Sequence, residues 1–429
     1  MIRSLTVLAI VAVVGSFGPS VSWAQEPARN SVPADDLVAR ALTANPELRA
    51  ARTAIEAAKG RLRQASLRPN PMLELSGTQN ATGTDNMQMI GLSWPLDLGG
   101  RKDARVAVAT RELAVKEAEV ADRERRLAAE VRMRAGAVLG AARDVRVTDD
   151  LLAANRRTEA LIHQRVTRGA TPALDEQLLR VEVTRLEAQR AGQVGRLESL
   201  RLQLMPLVGL AAPAPLGVTG DLEGPLTLPE AATAIDIALQ QRPDLRMGEL
   251  EERLAAARVE KERAEGRVDA SLFGQYQRQE TGFDVKGFDS AGRLRPIMDT
   301  FNMVTVGVSI VLPVRNRNQG NITAATAELE GARQRRQATD LVVREEVSAA
   351  YAQYDAAERA RDIYAVQVLD TARRNLGVIR QSYTLGRGSL LDVIAEERRL
   401  IELELGYTEV LKQRWDAAVD VLRAIGRIR

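Results

Sequence analysis

Cysteine is absent from this 429-residue chain, and histidine occurs once. The first absence excludes disulfides, thiolate metal sites and a lipid-modified N-terminal cysteine. It does not identify a compartment, because exported chains also do without cysteine. Aromatic residues make up only 3%, and neither charge dominates, with 60 Lys and Arg against 57 Asp and Glu. No basic block of the kind that tracks phosphates is present, so no nucleic-acid partner is expected. Beyond the N-terminus no run is long and apolar enough for a transmembrane helix. No nucleophile–base set, phosphate loop or zinc spacing occurs, which points away from an enzyme, a cofactor or a resident metal. The lone His163 lies in a charged helical stretch and reads as a surface residue.

What is present is a chain rich in Ala, Leu, Arg and Glu, the composition of long helices and coiled coils. Its length suffices for a large core. Prolines and glycines gather near 65–100, 206–230 and 274–320. The N-terminal MIRSLTVLAIVAVVGSFGPSVSWAQ has a basic Arg3, an apolar run from Leu5 to Val14, and small Ser22 and Ala24 before a cut at Gln25. It reads as an export signal over residues 1–24. An N-terminal membrane anchor is the competing reading, and the run is short for a span.

The chain repeats itself. ALTANPELR at 41–49 matches ALQQRPDLR at 238–246, TRGATPALD at 167–175 matches TLGRGSLLD at 384–392, and LVG at 207–209 matches AIG at 424–426. The expected organisation is a first repeat over 33–210, a linker over 211–230 and a second repeat over 231–426. Each repeat reads helix, β-hairpin, long helix, helix. The first helix opens at Asn45-Pro46 or a little earlier, with Arg242-Pro243 in the copy; a proline kink within a longer helix fits equally. Period-2 alternation predicts strands at about 71–79, 87–95, 268–278 and 302–312, making hairpins 71–95 and 268–312. The extra residues of the second copy, 280–299, read as a longer loop. In the fourth strand Val304, Val306, Val308 and Ile310 share an apolar face.

A long helix is expected from about Arg101 to Val166, and a helical pattern of similar length follows PVRNRNQG without a break. Val106, Leu113, Val120 and Leu127 recur every seven residues, and Val131, Val138, Val145 and Leu152 do so again after a four-residue shift, a coiled-coil seam with a stutter. Gly169 and Gly386 mark reversals at tips 167–172 and 384–389, where a helix end calls for a left-handed residue.

Four strands cannot close a barrel, and an open sheet in lipid leaves edge groups unpaired at several kcal/mol each. Bacterial barrels have at least eight strands. Three copies would supply twelve, with the helices continuing the barrel as a tube. A soluble coiled coil capped by its hairpins is the alternative.

The duplicated layout, the paired NPEL and RPDL starts, and the glycine tips followed by ALD and LLD resemble the TolC family of outer-membrane efflux channels. PLDLGGRKDAR and PVRNRNQGNI further resemble its CzcC-like branch, which serves cobalt–zinc–cadmium pumps of the resistance–nodulation–division type. The resemblance implies a mainly α fold with a small β part. Long coiled-coil hairpins and four strands per protomer form a homotrimer with a 12-stranded outer-membrane barrel and a periplasmic helical barrel. It implies outer-membrane lipid, a periplasmic adaptor and an inner-membrane pump as partners, and export of divalent heavy metals or, alternatively, of drugs. A structural coiled-coil protein of the envelope is the reading of another class. By the resemblance Asp175, Tyr383 and Arg387 link tip helices, Asp392 is the tip acid, and Gly169 and Gly386 meet the adaptor. The second tip acid falls on Ala395, and Glu396, one turn from Asp392, is its candidate replacement. These side chains also suit plain solvated or capping positions. Met87 and Met89 share a strand face and suit either a soft ion or packing.

Overall fold

The computed structural model describes residues 31–427 apart from 82–84, 213, 215, 225 and 226. The segment read as an export signal lies outside the described residues.

Two short helices open each half. Helix α1 (Ala34–Ala44) stops at Asn45, whose side chain accepts a hydrogen bond from Leu48 N at 2.8 Å and so caps α2 (Pro46–Ser66). Pro46 thus opens a second helix rather than the first: its ring fits the first turn, where no amide partner is needed. The same break separates α5 (Ala231–Gln241) from α6 (Pro243–Glu265). Asn45 Nδ2 also donates to Leu207 O, and Arg242 Nη1 to Ala424 O, so each break is tied to the end of its own repeat.

The long helix α3 (Arg101–Thr167) has 67 residues, about 100 Å at 1.5 Å per residue. Val131, Val138, Val145 and Leu152 are all buried, whereas of the first series only Val120 is, with Val106, Leu113 and Leu127 partly so. The seam is therefore tightest in the tip-ward half, where α3 packs against both α4 (Ala173–Leu204) and α9 (Leu390–Ala424). The second long helix is not unbroken. It runs as α7 (Gln319–Asp362), a π-helical segment at Ile363–Leu369, then α8 (Asp370–Thr384). The reason lies in packing: the extra residue lets Tyr364 stack on Tyr407, ring centres 6.1 Å apart, beside Gly406.

Six strands are described rather than four. Residues Ser31–Pro33 (β1) and Gly217–Thr219 (β4) form a short parallel pair, too brief for any periodicity to announce it. The others, β2 (Met72–Gln79), β3 (Asn86–Pro95), β5 (Asp269–Phe288) and β6 (Leu294–Val311), form one antiparallel sheet in the order β2-β3-β5-β6. The stretch 280–299 is not a loop. Strands β5 and β6 stay paired to Phe288↔Leu294, and the turn over 289–293 is braced by Asp289, which accepts from Ala291 N and Arg293 N at 3.0 Å. A register shift between Phe283 and Lys286 breaks the alternation there, which hides the strand from a period-2 reading.

Candidate functional site

The sheet has two chemically different faces. Its register aligns Leu75, Ile90, Tyr276 and Val304 in one cross-strand row, and Leu73, Leu92, Gly274 and Val306 in the next. On the other face the rows are Glu74, Gly91, Gln275 and Thr305, then Ser76, Met89, Gln277 and Met303. Met87 and Met89 thus lie on the polar face, opposite Gln279 and Gln277 of β5. The apolar face is bare: Val304 and Val306 are 77% and 73% exposed. Among the described residues strands β2 and β6 are the outer strands, each with one edge unpaired.

Each hairpin feeds a long helix through a braced turn. After β3, Asp97 (φ 52°), Gly99 (73°) and Gly100 (78°) adopt left-handed backbone. Arg105 Nη1 and Nη2 donate to the two Asp97 carboxylate oxygens at 3.1 and 2.7 Å, and these bonds hold the Asp97 carboxyl below its ordinary pKa. Arg101 Nη1 reaches Asp269 at 2.8 Å, fixing the start of α3 to the start of β5. After β6, Asn318 (φ 61°) donates to the Glu262 backbone oxygen at 2.9 Å and to its carboxylate at 2.7 Å. Both strand-to-helix turns are therefore pinned to the other repeat's elements or to the preceding helix.

At the opposite end the two tips share one geometry. Gly169 and Gly386 both have φ 71°, Ala170 N donates to Arg165 O, and Arg387 N to Ser382 O, each at 2.9 Å. This closes each helix as glycine allows and a Cβ-bearing residue resists. Asp175 lies in the first turn of α4. Tyr383, in the last turn of α8, packs against Ile162, Leu179, Leu390 and Ile394. Burial and then the nearby Asp175 charge push its hydroxyl pKa up. The structure thus brings Tyr383 and Asp175 close, with no hydrogen bond between them among the described residues. Arg387 is exposed, and among the described residues its guanidinium makes no ion pair in this chain. Asp392 is engaged locally: its Oδ2 accepts from Ser389 N and Oγ while Ser389 Oγ accepts from Asp392 N, a capping box. Glu396 is half-buried one turn further on, beside an exposed Ala395. His163 is exposed, with Nδ1 3.0 Å from Glu176 Oε1.

Between tip and middle lies a charged layer that residue types alone do not announce. Glu182 on α4 and Glu397 on α9 are 1% and 4% exposed. Arg398 of α9 donates to Glu182 Oε2 at 2.8 and 2.5 Å, and Arg380 of α8 donates to Glu397 Oε1 at 3.2 and 2.6 Å. The available signal was position: Glu182 sits between Leu179 and Leu186, both core residues, where the seam calls for an apolar side chain. Among the described residues no cluster of His, Cys, Asp or Glu is placed to hold a metal.

The family model described as "Outer membrane efflux protein" matches residues 37–210 and again 234–427. The chain belongs to the outer membrane efflux protein family. The cobalt-zinc-cadmium resistance protein CzcC of Cupriavidus metallidurans is similar at 27% identity over 387 residues, covering 89% of this chain and 87% of CzcC. Among solved structures, CusC superposes with a TM-score of 0.75 at 19% identity, covering 95% of this chain and 96% of that one. VceC of Vibrio cholerae superposes with a TM-score of 0.70 at 20% identity, covering 92% and 96%. Outer-membrane efflux proteins are channels and not enzymes, and they reach from the outer membrane into the periplasm. The fold, long helical hairpins on a small sheet, is that of the solved channels.

Proposed function

We propose that three copies of this chain close a 12-stranded barrel in the outer membrane, continued by a periplasmic helical tunnel, as the exit duct of a tripartite resistance–nodulation–division efflux system. The observation that carries this reading is the four-stranded sheet: apolar on one face, polar on the other, and unpaired at β2 and β6. From Val304 to Ile310 the apolar stripe rises about 20 Å, on the scale of a barrel's lipid-facing band. Lipid covers that face, the β6 edge of one copy pairs with the β2 edge of the next, and the polar face lines the lumen. A purely structural coiled-coil role leaves the bare apolar face without a use.

The residues 33–210 and 231–426 act as equivalent repeats that alternate around the tunnel. Tip residues Asp175, Tyr383 and Arg387 hold the periplasmic end closed, Asp392 and Glu396 place negative charge at the entrance, and the turns at Gly169 and Gly386 meet the adaptor. Threefold repetition of acids at one constriction raises local cation concentration by focusing. The duct passes its cargo without chemistry, since tight binding would slow release.

The cargo is a divalent heavy-metal cation, a reading supported by the similarity to a cobalt-zinc-cadmium resistance protein over most of both chains. Deleting the gene tests it. Increased sensitivity to cobalt, zinc or cadmium is expected. Sensitivity confined to dyes, detergents or antibiotics would make this a drug-efflux channel.

A further inference from the structure

In the rows where β2, β3, β5 and β6 all pair, the sheet sorts its aliphatic side chains by kind. Leu73, Leu75, Ile90, Leu92, Val304 and Val306 lie on the apolar face. Met72, Met87, Met89 and Met303 lie on the polar face, among Gln, Ser and Thr. Among the described residues of these rows, no Leu, Ile or Val shares the polar face and no Met the apolar one. Burial does not account for this sorting. On a wall open to water a Met gains no more than a Leu, and β-branched residues fit a strand better. What sets Met apart is its thioether sulfur, a soft and uncharged donor.

Three of the four sulfur-bearing side chains are neighbours. Met89 and Met303 stand in one cross-strand row, on either side of Gln277, and Met87 stands in the next row outward, opposite Gln279. Two strand spacings put the Met89 and Met303 backbones about 9.5 Å apart, and two residues along β3 put Met87 about 7 Å from Met89. Unbranched side chains with three rotatable bonds can bring their sulfurs together across such gaps. The amides between them are engaged along β5 rather than across it: Gln277 Nε2 donates to Gln279 Oε1 at 3.3 Å, and Gln279 Nε2 to Thr281 Oγ1 at 3.1 Å. Met303 is 41% exposed, and Met87 and Met89 are partly so, which leaves all three within reach of an ion in solution. On the same face Glu74 lies one row inward and Asp299 two rows outward, and both carboxylates favour an approaching cation.

We propose that Met87, Met89 and Met303 form a weak site for a thiophilic monovalent cation, of the copper(I) or silver(I) class, on the barrel wall. This rests on the channel reading above, which makes the polar face the lumen wall. Soft thioethers select such ions, while calcium and magnesium demand oxygen donors. Uncharged sulfurs hold the ion loosely, as passage through a duct requires. Threefold repetition places three such sites around the lumen.

The test is silver binding by purified trimers in chloride-free buffer, read by equilibrium dialysis and by X-ray absorption at the silver edge. Wild type is expected to retain silver with sulfur in its coordination shell. Met89→Leu combined with Met303→Leu is expected to lose that silver, and Met87→Leu alone to retain less of it. Leu keeps the volume and apolarity of Met, so SDS-resistant trimers and their conductance in a potassium salt should persist in all variants. Met298→Leu, on the other face of β6, is expected to bind silver like wild type. The site is overturned if wild type retains no silver, if the double variant keeps the silver–sulfur signal, or if Met298→Leu loses as much of it. A silver–sulfur signal in a protein that passes no current would instead overturn the channel reading and keep the site.

Discussion

Arg105 holds both carboxylate oxygens of Asp97 across the turn where β3 ends and α3 begins. The sheet and the helical hairpins meet at two such turns per chain, so a single weak turn loosens the join between lipid-embedded and periplasmic parts. Asp97 also adopts positive φ, which Asp tolerates better than most residues. Asp97→Ala removes both bonds and leaves Arg105 only partly solvated. A hydrogen bond to a charged group contributes about 1.5–3 kcal/mol. Asp97→Ala is therefore expected to lower the temperature at which trimers dissociate in SDS by several degrees, whereas Arg293→Ala, at the far end of the sheet, is not. Equal behaviour of the two would remove the structural role given to this turn.

The facing of the sheet makes a sharper expectation. Arg at a lipid-facing midplane position of a barrel costs roughly 2–4 kcal/mol, and far less on the lumen side. Val306→Arg is expected to reduce assembly in the outer membrane strongly, and Thr305→Arg only mildly. Fractionation followed by heat-modifiability on gels distinguishes them, and the reverse order would invert the assigned faces.

At the tip, Arg387→Ala, or Tyr383→Phe combined with Asp175→Ala, is expected to raise single-channel conductance. A link of this kind contributes about 0.5–3 kcal/mol and is repeated in three protomers, enough to bias a closed state that an adaptor can reverse. Normal assembly with unchanged conductance would remove these residues from the gate.

A buried acid supplies a pH test. Asp144 on α3 faces Thr408, Glu409 and Lys412 of α9 and Arg196 of α4, and among the described residues its Oδ1 has no hydrogen-bond partner. Burial raises its pKa, with the nearby Thr408 hydroxyl and the Arg196 charge opposing. A carboxyl whose folded pKa lies above its unfolded value binds its proton more tightly when folded. Its charge therefore costs stability at neutral pH, and the cost fades as pH falls through the folded pKa. Asp144→Asn is expected to raise thermal stability at pH 7, with the gain shrinking towards pH 4. A loss of stability at pH 7 would contradict this.

Much of this architecture was legible in the chain. The 41–49 and 238–246 match, the strand alternation around Val304 and the seven-residue series through Val131 and Leu152 all reflect a periodic burial constraint, and periodic constraints leave periodic traces. What escaped was aperiodic. The strands continue through 280–299 because β5 and β6 pair across a register shift, which flips the alternation midway. The π-helical segment depends on Tyr364 finding the space beside Gly406, a contact between residues far apart in sequence. Glu182 falls at a seam position between Leu179 and Leu186, but only the fold shows that Arg398 is bonded to it. Asp392 is the tip acid by the resemblance, and the capping box with Ser389 gives its carboxylate a local partner as well.

The proposed duct requires that three copies close one pore. The most direct measurement is native mass spectrometry of the detergent-extracted protein, combined with conductance of the same preparation in planar bilayers. A species of three chains that forms discrete ion-conducting channels is expected. A stable monomer or dimer, or a trimer that spans no membrane and passes no current, would contradict it.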